Sequence, residues 1–136
     1  MASFEIVGGK KLKGEITPQG AKNEALQILC AVLLTDEPIT IHNVPHIRDV
    51  NKLLELLASL GVKIDRSGES TIKFDSSKVD VKYMETESFK EKASSIRGSV
   101  MIIGPLLARF GNGRLPKPGG DKIGRRPMDT HFKGLA

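Results

Sequence analysis

The stretch Lys22–Leu34 is apolar on nearly every side. Ala25, Leu26, Ile28, Leu29, Cys30, Ala31, Val32, Leu33 and Leu34 leave little polar face over a length that reads as a helix. Such a helix is expected to be buried rather than half exposed. The chain must therefore build a core around it. At 136 residues it is long enough for one domain, or for a piece of something larger, without disulfides or metal. With 39% hydrophobic and 27% charged residues, disorder, collagen-like repeats and low complexity are excluded.

The remaining pattern alternates helices and strands. Residues 3–17 read as two short strands, Phe4–Val7 and Leu12–Ile16, separated by Gly8-Gly9. Ile39 and Ile41 alternate with Thr40 and His42 as a strand. Val50, Leu53, Leu54, Leu56, Leu57 and Leu60 follow helical spacing, with Lys52 off the stripe and Gly61 at the left-handed cap position. Val62–Ile64 and Ile72–Phe74 read as a hairpin, and Val79 with Val81 as a further short strand. Lys92–Phe110 reads as a second mostly apolar helix, which Pro105 kinks or starts.

A weak internal repeat runs through this order. Thr35 maps onto Phe110 and Asp49 onto Asp129, with a second strand at Arg114–Pro116 and a helix opened by Asp129. The second copy carries about five extra residues, which fall in Pro118–Pro127. An insertion in one copy only is where function tends to be added. The stretch Asp129–Ala136 looks like an incomplete helix, so a longer chain is expected.

The charge is concentrated. Residues 109–136 hold seven Lys/Arg against two acids, whereas residues 1–108 balance, so the whole net charge of +5 lies in the last segment. Focused positive charge draws an anionic partner. The inserted loop reads Pro118-Gly119-Gly120-Asp121-Lys122-Ile123-Gly124-Arg125-Arg126-Pro127. Its glycines allow close approach to a ligand, and adjacent arginines suit phosphate or carboxylate. It is neither a Walker A loop nor a dinucleotide fingerprint. Lys22-Asn23 stands at the mouth of the apolar helix, where a helix start and an ammonium group favour an anion. Arg97 is a lone cation in the second apolar segment.

Other features narrow the function. Cys30 reads as a core thiol. His42, His46 and His131 lack ligand spacing, so no metal is expected. The basic tail has only Phe110 and Phe132 for stacking, which argues against nucleic acid. The uncharged run Gly98–Ala108 is too short to span a membrane. No secretory signal opens the chain, and one cysteine fits a reducing cytoplasm.

Three segments then resemble a known family. They are Gly20-Ala21-Lys22-Asn23-Glu24-Ala25-Leu26, Asn43-Val44-Pro45 with Asp49, and Pro118–Pro127 continued by Met128-Asp129-Thr130-His131. Together they resemble the enolpyruvyl transferases, specifically the UDP-N-acetylglucosamine 1-carboxyvinyltransferases of peptidoglycan synthesis and hence of cell-wall formation. The shikimate-pathway branch fits less well; it would have Lys-Ser at Lys22-Asn23 and would lack the loop.

The resemblance implies an α/β fold, an inside-out barrel of repeated βαβαββ units, present here only in part. Residues 1–21 would pair with an absent C-terminal domain. Residues 22–136 would hold one repeat and the start of a second, with the catalytic loop at 116–127. It implies two small-molecule substrates, phosphoenolpyruvate and UDP-N-acetylglucosamine, and no cofactor. Lys22, Asn23 and Arg126 match positions that bind phosphoenolpyruvate. Arg97, Arg126, Pro127, Met128, Asp129 and Thr130 match those that bind the UDP-sugar. Further catalytic groups would lie past residue 136, so this chain alone should be inactive. The other class open to it is a non-catalytic module that binds anions or nucleotides.

One departure from the family stands out. The loop acid, often cysteine, is here Asp121. An ordinary aspartic acid has a pKa near ~4, so about one in a thousand is protonated at pH 7. Lys122, Arg125 and Arg126 would lower it further. To donate a proton, Asp121 must be desolvated or set beside substrate anions. The absence of a thiol there implies insensitivity to the epoxide fosfomycin.

Overall fold

The computed structural model describes residues 3–117, 119 and 127–135. Helix α1 (Lys22–Ala31) continues as a 3-10 turn to Leu34 and leads into β1 (Ile39–Ile41). Helix α2 (Arg48–Ser59), β2 (Lys63–Arg66) and β3 (Ile72–Asp75) follow, then a 3-10 turn at Val81–Glu85. Helix α3 (Glu87–Ser94), a 3-10 stretch (Arg97–Ile102), α4 (Ile103–Phe110) and α5 (Asp129–Leu135) complete the described elements. The order α–β–α–β–β is the expected repeat without its first strand.

The sheet is antiparallel in the order β1-β3-β2. Its register sorts the side chains by face. Ile39 and Ile64 both pair with Phe74, and Ile41 pairs with Ile72. This face meets the core, where Ile72 and Phe74 are buried. On the other face, Lys73 stands between Thr40 and Asp65. A period of two therefore puts the apolar row inward and the polar row outward.

Helix α2 buries Val50, Leu53, Leu54, Leu56 and Leu57, the stripe expected from sequence. Gly61 ends this segment with φ of 96°, a value that only glycine adopts without strain. The hairpin of β2 and β3 forms as expected.

Five expectations change. Residues 3–21 form no strand, and Phe4, Ile6, Val7, Leu12 and Ile16 are exposed. Strand residues need a paired neighbour, and none stands beside them among the described residues. The stretch Arg114–Pro116 forms no strand for the same reason. Helix α1 is only half buried: Leu29, Cys30, Val32 and Leu33 face the core, while Ile28 and Leu34 are 43% and 51% exposed. The described elements cover one side of it.

Val81 opens a 3-10 turn instead of a strand. The Asp80 carboxylate accepts from the Lys82 amide at 2.9 Å, and this local bond outweighs the β preference of the valines. The segment Lys92–Phe110 also divides. The chain breaks at Ser95-Ile96, and the buried Ser99 hydroxyl lies 2.7 and 2.8 Å from the carbonyls of Ala93 and Ile96. Pro105 falls in the first turn of α4, where its missing amide costs nothing.

Arg109 joins the ends of three elements. Its Nη1 faces the carbonyl oxygens of Leu33 at 3.2 Å, Thr35 at 2.8 Å and Ser76 at 3.1 Å. Those carbonyls close α1 and β3, and Arg109 itself lies in the last turn of α4. Its guanidinium also stacks over Phe110, 4.8 Å from the ring centroid. This cation of the basic tail is thus a structural residue. No helix of the described residues is long and apolar enough to cross a membrane.

Two measurements test this packing. Arg109→Met should cost about 2–3 kcal/mol in urea unfolding, because part-buried carbonyls lose a charged donor; a change below about 0.5 kcal/mol would refute the bridge. Burial pushes the Cys30 thiol from 9.0 up to about 12. The unfolded thiol ionises first, so stability should fall as pH rises from 9 to 12. Cys30→Ala should flatten that slope in unfolding measured across the range, and an unchanged slope would exclude Cys30 as its source.

Candidate functional site

The starts of α1, α2 and the 3-10 stretch at Arg97 meet around an open cleft of about 990 Å³. Lys22 and Asn23 come from the first turn of α1, Arg48 and Asp49 from the first turn of α2, and Arg97 and Gly98 from the 3-10 stretch. Lys52 stands one turn further along α2. Among the described residues, four cations and a single carboxylate thus line the cleft.

The backbone adds to this positive field. None of the three starts has a side-chain cap: Ala21, Ile47 and Ile96 hold the cap positions. Of the segments that begin elsewhere, two are capped, whereas α4 and the turn at Val32 run on directly from the preceding helical turn without a side-chain cap. Thr86 accepts from the Phe89 amide before α3, and Asp80 caps the turn at Val81. Uncapped first-turn amides and the positive ends of the helix dipoles favour an anion.

The side chains are partly committed. Lys22 Nζ lies 3.0 Å from Asp49 Oδ2, with both groups about half exposed. A lysine at a helix start works against the dipole, and an aspartate at the next start works with it. The ion pair holds the ammonium over both. Lys52 Nζ donates to the Ser95 carbonyl at 3.1 Å. Arg48 has no hydrogen-bond or ion-pair partner among the described residues.

Of the residues singled out from sequence, Lys22, Asn23 and Arg97 come together here although 75 positions separate the first and last. Pro127 and Met128 lead into α5 and Asp129 and Thr130 begin it; none of the four is among the cleft residues. Asp121 and Arg126 lie outside the described residues. Sequence reasoning missed Arg48 and Lys52. Their spacing of four on one helix was the available signal, but it reads equally as a solvated face. Cys30 is buried in the core, as expected. Among the described residues, no group of three or more His, Cys, Asp or Glu could hold a metal.

The arrangement can bind a multiply charged anion by fixed amides and cations. Asp49→Asn should change stability by less than about 1 kcal/mol, since the pair is exposed. It should also tighten binding of inorganic phosphate, by releasing Lys22. Titration calorimetry showing weaker phosphate binding would reverse that account of Asp49.

Comparison with known proteins places the chain in a family. A family model described as EPSP synthase (3-phosphoshikimate 1-carboxyvinyltransferase) matches residues 6–136. The chain is 56% identical over 135 residues to the UDP-N-acetylglucosamine 1-carboxyvinyltransferase of Bacteroides fragilis, covering 99% of this chain and 31% of that protein. It is 53% identical to the enzyme of that name from Porphyromonas gingivalis and 47% to that from Acinetobacter baylyi, with the same coverage. The chain therefore spans about a third of the length of these relatives. The crystal structure of the enolpyruvyl transferase NikO from Streptomyces tendae shares the fold, with a TM-score of 0.62 over 76% of this chain and 23% of that one, at 24% identity. On the family match and these relatives, the chain belongs to the EPSP synthase family of enolpyruvyl transferases.

Proposed function

We propose that this chain is the N-terminal part of a UDP-N-acetylglucosamine 1-carboxyvinyltransferase. The observation that carries the reading is the convergence of Lys22, Asn23 and Arg97 on one cleft ringed by uncapped helix starts. Both substrates are multiply anionic, which suits such a site. Relatives of that name at 47–56% identity support it. In this reading the chain forms one repeat, and the start of another, of an inside-out α/β barrel. Residues 1–21 pair with a second domain.

The chemistry assigns roles to residues. Lys22 and Asn23, with Arg126, hold phosphoenolpyruvate. Arg97 and Arg126–Thr130 hold the UDP-sugar. The sugar's 3-hydroxyl oxygen attacks carbon 2 of phosphoenolpyruvate and passes its proton to a base past residue 136, while the Asp121 carboxyl protonates carbon 3 and is left as the carboxylate. The tetrahedral intermediate then expels phosphate and loses a proton, which restores the double bond. Fixed cations stabilise the charge that develops on the leaving phosphate. The reaction belongs to cell-wall synthesis and fits a cytoplasmic enzyme.

A chimaera tests the reading directly. Residues 1–136 replace the matching N-terminal third of the Bacteroides fragilis relative, and phosphate release is followed with both substrates. Turnover is expected, with Lys22→Gln lowering kcat/KM about a hundredfold or more. Binding of the UDP-sugar without turnover would instead indicate a binding module. Asp121→Asn should abolish most turnover across the pH range; near-equal rates would remove Asp121 from the mechanism. Fosfomycin should cause no time-dependent loss of activity, because a carboxylate is a weak nucleophile towards an epoxide. Full inactivation with an adduct on Asp121 would contradict this.

A further inference from the structure

The segment that leads into the basic loop is laid along α3. Arg114 Nη1 lies 3.0 Å from Glu85 Oε1, just before α3 begins. Leu115 packs against the core, partly buried. Gly119 then meets the other end of the helix, where a β-carbon on it would overlap the Ser94 carbonyl oxygen. That neighbour is backbone, so no side-chain rotation relieves the overlap. Ser94 and Ser95 also line the cleft, and Lys52 occupies the Ser95 carbonyl. At the end of α3 the Ser95 carbonyl is thus held by α2, and the Ser94 carbonyl is approached closely by Gly119. The close approach that the glycine permits is to the protein's own backbone.

We propose that Gly119 is a positioning residue: its seat on the Ser94 carbonyl sets where the basic loop begins at the rim of the cleft. The kinetic part of this inference rests on the function proposed above; the structural part does not. Any side chain at 119 lifts the segment off α3. Asp121, the residue assigned the proton transfer, is two positions further along the sequence. An error of about 1 Å at reacting groups costs rate far more than affinity, by up to about a hundredfold.

The test compares Gly119→Ala with wild type, and with Gly104→Ala, whose added β-carbon meets nothing within 4 Å. Hydrogen–deuterium exchange of this chain should show faster exchange in residues 94–98 and 111–119 for Gly119→Ala only. In the chimaera, kcat should fall about tenfold to a hundredfold while KM for the UDP-sugar stays within about twofold. Unchanged exchange, or an equal effect from Gly104→Ala, would overturn the proposal. So would faster exchange spread over the whole core, which means general loosening. An inactive wild-type chimaera would sink the proposed function, and exchange would still decide the role of Gly119.

Discussion

Arg109 holds the architecture at the end opposite the cleft. The last carbonyls of a helix carry partial negative charge and lack partners within the helix. Arg109 supplies one donor group to the carbonyls after α1 and β3 while anchored in the last turn of α4. With these ends tied together, the start of α1 is directed beside the start of α2. A lysine in its place would be a compact charge without the guanidinium's planar fork and stacking face. The contact of Lys22 with Asp49 depends on that arrangement.

The cleft owes its character to what the local sequence leaves unsatisfied. Capping residues stand before α3 and before the turn at Val81, whose first residues are not among those lining the cleft. Alanine and isoleucines stand at the three starts that face it. An uncapped start sacrifices about 1 kcal/mol of helix stability and leaves amides available to a ligand. Cations gathered at such ends are mutually repulsive, and one carboxylate at Asp49 offsets part of that repulsion. The local chain therefore favours anion binding over its own stability at these three places, as functional sites often do.

Much of the fold was legible because it is local. The stripe of α2, the glycine after it and the hairpin of β2 and β3 each follow from spacing within about fifteen residues. Two differences share one cause. Residues 3–17 and Arg114–Pro116 have strand-like composition, yet a strand exists only through its neighbour, and spacing along one segment does not reveal one. Val79 and Val81 misled for another reason, since the Asp80 side chain competes with the sheet from inside the same segment. For the site, Lys22 and Asn23 were legible at a helix start, and Arg97 as a lone cation inside an apolar segment. Arg48 and Lys52 were not, because a surface lysine and a cleft lysine look alike in sequence.

The amino-acid order by itself determined α1 and α2 with their approximate ends, the uneven distribution of charge and the family motifs. These depend on residue type and short spacing, which act before any distant contact forms. Only the tertiary structure decided that Arg109 serves three carbonyls, that Lys22 meets Asp49, and that Gly119 rests on Ser94. Each of those joins residues more than twenty positions apart. Such contacts arise from how rigid elements pack, and side-chain chemistry alone leaves that open.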